Sequence, residues 1–170
     1  FLRNSTASEA TISPEEAVRR GLKYLEKAGY RNMKESYFSV YDGICTVNYA
    51  YVQDEVICYP DLIKLSISLD KGEIVALDAS TWLSNHRKRS LPEIDLSVKK
   101  AQASLAPCLT VLSTNTVLVP ADYGKEVLCY EFHCRDTESE REVLVYINCL
   151  TGEEQDIMLL LYEDDGILTR

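Results

Sequence analysis

The most constraining feature of this 170-residue chain is a pattern of helix and strand signals that occurs twice. Ser13 and Ser97 each precede a helical apolar pattern, and they lie 84 residues apart. The turn glycines repeat at offsets of 81 and 80 residues, pairing Gly43 with Gly124 and Gly72 with Gly152. Because nearly constant offsets are typical of duplicated units, the sequence predicts two copies of one fold, each of about 75 to 80 residues.

The first copy begins with a strong helix signal in ISPEEAVRRGLKYLEKAG, residues 12–29. Ser13 is a favourable N-cap, Pro14 suits the first helical position, and Glu16 would complete a capping box. Apolar residues then recur at helical spacing until Gly29, a residue typical of helix ends. These signals predict an amphipathic helix.

The residues after this helix, 35–79, change to the period of a β-sheet. They are rich in Tyr, Val and Ile, and turn signals interrupt them at 42–43, 53–55 and 70–72. Polar and apolar residues alternate in LIKLSISLD, residues 62–70. This alternation predicts an antiparallel meander with one apolar face, against which the helix can pack.

The second copy follows the same order. Ser97 caps a helical pattern that Pro107 ends, and strand-like runs separated by Gly124 and Gly152 follow. We therefore predict an α+β fold with two tandem repeats, each a helix packed on an antiparallel β-meander. The predicted organisation is a flexible N-terminal segment at 1–11, a first repeat at 12–81, a basic connector at 82–95 and a second repeat at 96–170.

The connector holds the densest positive charge of an acidic chain. Its segment WLSNHRKR, residues 82–89, contains the only tryptophan and one of the two histidines. Residues 1–92 carry 12 basic and 12 acidic side chains, whereas residues 93–170 carry 6 and 15, which together give the net charge of −9. A chain this acidic is not expected to bind nucleic acid through general attraction to phosphate.

Two interpretations of this segment remain open from the sequence. In the first it is a solvated linker that Trp82 and Leu83 anchor to the core of the first repeat. In the second it is an exposed Arg cluster beside an aromatic ring, which contacts an acidic partner or the acidic second repeat. The residues proposed for such an interface are Trp82, His86, Arg87, Arg89, Tyr59 and Asp61.

A search for catalytic or metal-binding residues identifies no convincing set. On one strand, Cys134 would face away from His133, and Cys129 would lie roughly 13 Å from that histidine, too far for a shared zinc ion. The chain has no Gly-rich phosphate loop and no nucleophile elbow. We therefore predict no catalytic, metal-binding or cofactor-binding residues and no cofactor. The alternative is an enzyme. Its active site would use either a reactive cysteine together with His86 or His133, or, separately, a pair of catalytic carboxylates.

The six cysteines form no C-x-x-C pair, and most of them lie in apolar, strand-like runs. A free cysteine in such a run behaves as a small buried apolar residue, which is the reading we favour over structural disulfides. They are Cys45, Cys58, Cys108, Cys129, Cys134 and Cys149.

Several segments together resemble the C-terminal region of the spore germination protein YpeB family. They are the helix ISPEEAV and the run YPDLIKLSISLDKGEIVALDASTWLSNHRKRSLP, followed by GKEVLCYEF, LVYIN and TGEEQDI. The resemblance covers nearly the whole chain from Ile12 onward. It implies PepSY repeats, each a helix wrapped by an antiparallel sheet, and this agrees with the repeat found above.

The resemblance also implies a non-enzymatic role in spore germination. Proteins of this family lie at the outer face of the spore inner membrane and in the cortex region, on the extracytoplasmic side. The partner implied is a spore cortex-lytic, peptidoglycan-degrading hydrolase, which the protein would bind, stabilise or restrain. No apolar run approaches the roughly 18 residues of a membrane span, so contact with the membrane is expected only through an anchor upstream of this chain.

An alternative function is that of a PepSY-type peptidase inhibitor. A sheet edge or the predicted hairpin YVQDEVICYP, residues 51–60, would then block a protease. A homo-oligomer is compatible with either function. The family has no catalytic residues to carry over to this chain.

Overall fold

The computed structural model describes residues 10–163 and 166–169 of the chain. Its helices are α1 (Pro14–Lys27), α2 (Ser80–Asn85) and α3 (Val98–Gln102). The first strands are β1 (Met33–Tyr41), β2 (Ile44–Gln53), β3 (Val56–Ser68) and β4 (Ile74–Asp78). The later strands are β5 (Leu109–Pro120), β6 (Glu126–Asp136), β7 (Glu142–Asn148), β8 (Glu154–Glu163) and β9 (Gly166–Thr169), and a 3-10 turn at Asp122–Gly124 precedes β6.

Helix α1 forms where the sequence predicts it. The Ser13 side chain accepts a hydrogen bond from the backbone N–H of Glu16 at 3.2 Å, and Gly29 follows the helix with φ 97°. The second half of the predicted capping box is wrong. The Glu16 carboxylate instead accepts from Nε of Arg20 at 2.9 Å, because the next turn of the helix brings that guanidinium alongside.

The predicted turns are confirmed by the backbone. Asp42 and Gly43 both have positive φ and connect β1 to β2, while Asp54 and Glu55 do the same between β2 and β3. Two-residue connections of this conformation match the twist of an antiparallel hairpin. The chain therefore forms the predicted meander through β1, β2, β3 and β4.

The second repeat follows the plan of the first, with strands β5 to β8 in the places of β1 to β4. The Tyr49 hydroxyl donates to the Val18 carbonyl in α1 at 2.8 Å. In the second repeat, the Tyr130 hydroxyl donates to the Leu96 carbonyl just before α3 at 2.7 Å. A tyrosine at the corresponding position of each copy thus hydrogen-bonds the sheet to the helical segment, which confirms the predicted repeat.

Helix α3 is shorter than its sequence pattern suggests. It ends at Gln102, and the backbone N–H of Ser104 bonds to Ala101 in a tighter i to i−3 turn. Pro107 disfavours helical geometry at the residue before it, so the remaining pattern cannot continue as an α-helix. Of the segment 1–11, which was predicted to be flexible, residues 1–9 lie outside the described part of the chain.

The two meanders join into one nine-stranded sheet, which the sequence did not predict. Strand β3 pairs in parallel with β5 through Ile57 with Val117 and Cys58 with Leu118. On the other side, β1 pairs with β9 at Ser39 and Gly166. All the strands except β4 therefore form a closed ring, in which each strand pairs with two neighbours. Strand β4 lies outside the ring and pairs with β3.

The closed ring gives the protein two outer cores and one inner core. Helix α1 packs on the outer core of the first repeat, which includes Leu25, Val47, Tyr49, Ile63 and Leu65. Helix α3 packs on the outer core of the second repeat, which includes Ala101, Phe132, Val145 and Ile147. The inner core lies between the repeats and contains Ala50, Ile57, Val117, Cys129 and Tyr146.

All six cysteines are free thiols, and all but Cys108 are buried, as the strand-like runs indicated. Burial raises the pKa of Cys45 and of Cys129 to about 11 and that of Cys149 to about 12. In the part of the chain described, we find no helix with both the length and the apolar character needed to cross a bilayer.

Candidate functional site at the repeat junction

The basic segment begins on α2, which follows β4 after a tight turn. The Asp78 carboxylate accepts hydrogen bonds from the Ser80 N–H at 2.9 Å and from its hydroxyl at 2.6 Å, and these bonds lower the pKa of Asp78. One turn later the Trp82 ring meets the Tyr30 ring edge to face, with centroids 5.1 Å apart. Trp82 is thus anchored on the outer core of the first repeat.

His86 is held in place by two rings and a carboxylate. Its imidazole stacks on Trp82 with centroids 4.1 Å apart and 13° between the planes, and the Tyr51 ring stands edge-on at 4.7 Å. Its Nδ1 lies 2.8 Å from Oδ2 of Asp61, a fully buried carboxylate on β3. These contacts fix the orientation of the imidazole at the edge of the first repeat.

Arg89 lies between two carboxylates that belong to different repeats. Its guanidinium donates from Nη1 to Oδ2 and from Nη2 to Oδ1 of Asp61, at 2.9 and 2.6 Å. It also donates from Nε to Oε2 and from Nη2 to Oε1 of Glu126 on β6, at 2.9 and 2.7 Å. Both contacts are bidentate, the strongest geometry for an arginine and a carboxylate.

Arg89 and Glu126 stabilise each other in their charged forms. The side chain of Arg89 is only 4% exposed, and Glu126 is 15% exposed. The hydrogen bonds from Arg89 lower the pKa of Glu126, and the same bonds raise the pKa of Arg89. Arg87 completes the cluster with an ion pair from Nη2 to Oε2 of Glu126 at 3.0 Å, while its side chain remains 56% exposed.

The backbone of the connector is fixed as firmly as its side chains. The Arg89 N–H donates to Oε1 of Gln53 at 2.9 Å, and Nε2 of Gln53 donates back to the Arg89 carbonyl at 2.8 Å. Gln53 is buried at the end of β2, so this pair of bonds joins the connector to the first repeat. The segment is an ordered joint and not a loose linker.

Both interpretations of the basic segment apply in part. Trp82 anchors it to the first repeat as predicted, but the predicted anchoring by Leu83 is wrong, because that side chain is 71% exposed. The arginines contact the acidic second repeat through Glu126. The expected exposed Arg cluster is wrong for Arg89, because its guanidinium is enclosed by Asp61 and Glu126. Arg87 and Leu83 are among the exposed side chains of the junction, together with Lys88.

Tyr59 differs from the other proposed interface residues because its side chain points away from the junction. Its side chain enters the space between the repeats, where its hydroxyl donates to Oε2 of Glu131 at 2.6 Å. Sequence reasoning missed Gln53 and Glu126, which come from a turn and from the start of a strand-like run. Nothing near either residue in the sequence indicates a contact with Arg89.

The residues considered for catalysis do not converge. Nε2 of His133 lies 2.6 Å from Oε2 of Glu142, whereas Cys134 faces the outer core of the second repeat. Burial also raises the pKa of Cys134, which disfavours a reactive thiolate. Across positions 10–163 and 166–169, the structure brings together no group of three or more His, Cys, Asp or Glu residues able to hold a metal ion.

Residues 1–92 match the family model described as "YpeB sporulation, PepSY1 and PepSY2 domains", which covers the first repeat and most of the connector. This chain belongs to the YpeB sporulation protein family. The resemblance to YpeB that the sequence indicated is therefore confirmed. The matched region also includes the whole basic segment, residues 82–89.

Curated relatives and a solved structure agree with this assignment. "Sporulation protein YpeB" of Halalkalibacterium halodurans is 35% identical over 157 residues, which cover 92% of this chain and 35% of that protein. The Bacillus subtilis protein of the same name is 30% identical, again over 92% of this chain and 35% of its own length. The chain therefore spans about a third of the length of these YpeB relatives.

The fold of the YpeB family is confirmed as well. The structure of the Bacillus megaterium YpeB C-terminal domain is similar with a TM-score of 0.81 and 25% sequence identity. The likeness covers 91% of this chain and 68% of that one. The predicted α+β fold built from two PepSY-like repeats is correct.

Proposed function

We propose that this chain is a non-enzymatic binding module of spore germination, which binds a spore cortex-lytic hydrolase and stabilises or restrains it. The observation that carries the proposal is membership of the YpeB family, whose matched region includes the whole basic segment. The relatives are named sporulation proteins, and this chain corresponds to about a third of their length. In the proposal the module acts on the extracytoplasmic side of the spore inner membrane, where an upstream part of the protein anchors it.

The chemistry of the described residues supports binding more than catalysis. His86 and His133 each lie within hydrogen-bond distance of a carboxylate that fixes the imidazole in the structure. Buried thiols such as Cys129 carry raised pKa values, which works against a cysteine nucleophile at neutral pH. A protein that only binds a partner does not need a reactive side chain.

The junction offers a surface suited to a protein partner. Leu83 and Arg87 are exposed beside Trp82, and Arg and Trp are residue types that often dominate the energy of an interface. The buried pairing of Arg89 with Asp61 holds this surface in one geometry, so little ordering entropy is lost on binding. We therefore assign the hydrolase contact to Leu83 and Arg87.

The hairpin at residues 51–60, considered for peptidase inhibition, contacts the second repeat along β3. Its residues Ile57 and Cys58 pair with β5, and Val56 packs in the outer core of the second repeat. A protease could not reach the backbone of Ile57 and Cys58 without separating the repeats, although the turn at Asp54 and Glu55 is exposed. The described structure thus favours hydrolase binding over inhibition through this hairpin.

The test is retention of this chain on an immobilised cortex-lytic hydrolase from the same organism. We expect wild-type protein to bind and a Leu83→Ala, Arg87→Ala double variant to bind at least tenfold more weakly. Arg19→Ala is the matched control, because Arg19 is an exposed arginine whose ion-pair partner, Glu16, lies on the same helix α1. It should bind like wild type.

Two outcomes would change the proposal. Equal binding by the double variant and wild type would move the contact to another surface of the module. If neither this chain nor a longer protein with its upstream residues binds the hydrolase, the proposed function is wrong.

A further inference from the structure

A cavity of ≈ 660 Å³ lies between the two repeats, inside the ring of strands. This volume is within the range of roughly 300–1,000 Å³ that is typical of small-molecule sites. The first repeat contributes Tyr59 and Leu62 to its wall, and the second contributes Asn115, Glu131 and Tyr146. The cavity therefore exists only because the two repeats close on each other.

Glu131 supplies a buried carboxylate to the wall of this cavity. It is only 4% exposed, and its Oε2 accepts hydrogen bonds from the hydroxyls of Tyr59 at 2.6 Å and Tyr146 at 3.0 Å. Its Oε1 accepts from Nδ2 of Asn115 at 3.1 Å. Burial, together with the charge of Glu131, raises the pKa of both tyrosines, so they remain protonated donors.

Among the residues that the structure describes, no cation balances the charge of Glu131. The three groups that bond to it are neutral, and no salt bridge joins it to a basic side chain in the described part of the chain. Removing a carboxylate from water without an opposite charge is costly. A carboxylate can accept about four hydrogen bonds, so a further donor can still bind beside the three present.

The rest of the lining suits a cation that carries an apolar stem. The described lining residues include no lysine or arginine, and exposed Asp122 and Asp156 add negative charge at the solvent side. Apolar side chains form much of the remaining wall, among them Leu62, Leu144 and Met158. Of the lining residues that the structure describes, only His133 is basic, and it is already paired with Glu142, which is not among them.

We propose that this cavity binds the ammonium group of an alkyl amine, with Glu131 as the counter-ion and the apolar wall around the methylene stem. An organic cation suits the site better than a metal ion, since residues 10–163 and 166–169 provide no set of three metal ligands. The amine belongs either to a free small molecule or to a lysine side chain of a peptide. The inference does not depend on the proposed hydrolase partner.

Calorimetric titration with matched ligands tests the proposal. We expect 1-pentylamine to bind this chain at least tenfold more tightly than 1-pentanol, which has the same stem and no charge. In parallel, a short peptide with one lysine is compared with the same peptide carrying norleucine. Tight binding of the free amine alone, or of the lysine peptide alone, identifies the source of the ammonium group and supports the proposal.

Variants then locate the binding. Glu131→Gln removes the charge at nearly constant size and should weaken amine binding at least tenfold, whereas Glu138→Gln in the exposed β6–β7 turn should change nothing. Because Glu131 is buried, folding of the variant is checked by circular dichroism. Val119→Trp narrows the cavity and keeps Glu131, so it should also weaken amine binding at least tenfold.

The proposal is overturned if wild-type protein shows no saturable heat with either the amine or the lysine peptide. Equal affinity for amine and alcohol would contradict it as well. Unchanged amine affinity in folded Glu131→Gln and Val119→Trp variants would show that the ammonium group binds elsewhere.

Discussion

Arg89 and Asp61 form a bidentate ion pair from which water is almost completely excluded. The two bonds are 2.9 and 2.6 Å long, and Asp61 has no exposed surface. The same guanidinium holds Glu126 of the second repeat through two further bonds. One side chain of the connector therefore links the two repeats electrostatically, and their relative position should depend on it.

Replacement of Arg89 by alanine should destabilise the protein strongly. It removes the guanidinium from the buried Asp61 and leaves that carboxylate beside the His86 imidazole. Loss of one member of a buried pair typically costs about 3–5 kcal/mol. The measurement is the free energy of unfolding in urea. Arg87→Ala is the control, because Arg87 is more than half exposed and exposed pairs are worth about 1 kcal/mol or less. Similar losses in both variants would contradict a special role for Arg89.

The stability of the protein should fall at acidic pH in part through Glu126. Hydrogen bonds from Arg89 hold the folded-state pKa of Glu126 below its ordinary value. A depressed folded pKa adds stability above the unfolded pKa, and this stability is lost as pH falls through the folded pKa. Unfolding free energies measured between pH 7 and pH 3 should therefore drop more for wild type than for Glu126→Gln. Parallel pH profiles would exclude this contribution.

Gly21 should not tolerate a side chain. A Cβ atom built at Gly21 would overlap the hydroxyl of Tyr49, which is buried and bonded to the Val18 carbonyl. We expect Gly21→Ala to lower the free energy of unfolding by roughly 1–3 kcal/mol, the usual cost of overpacking. In a Tyr49→Phe background the overlapping atom is gone, so the same substitution should cost less. A double-mutant cycle by thermal unfolding measures the difference, and additive effects would refute the steric explanation.

The features that sequence reasoning predicted are those that depend on neighbouring residues. Ser13 caps α1 three residues before its partner Glu16, and the positive φ of Gly43 is needed within its own hairpin. The repeat itself was visible because the turn glycines Gly43 and Gly72 recur at nearly constant offset as Gly124 and Gly152. In these cases the residues that interact are close in the sequence or repeat at a fixed offset.

The features that it missed depend on contacts between the repeats. Glu126 lies 37 residues from Arg89, and its partner could not be identified from a run that reads only as the start of a strand. The pairing of Ser39 with Gly166 closes the ring between residues that share no pattern. The burial of Arg89 follows from these long-range contacts, so composition alone suggested an exposed cation.

Native alkylation should distinguish Cys108 from the other five cysteines. Cys108 is partly exposed, whereas the others are buried and burial raises the pKa of Cys149, for example, to about 12. With iodoacetamide at pH 8, we expect rapid labelling of one thiol in the folded protein and of six after unfolding in urea, counted by mass spectrometry. Cys108→Ser should remove the rapid phase. Rapid labelling of a second thiol would reveal an accessible thiolate and reopen the case for cysteine chemistry.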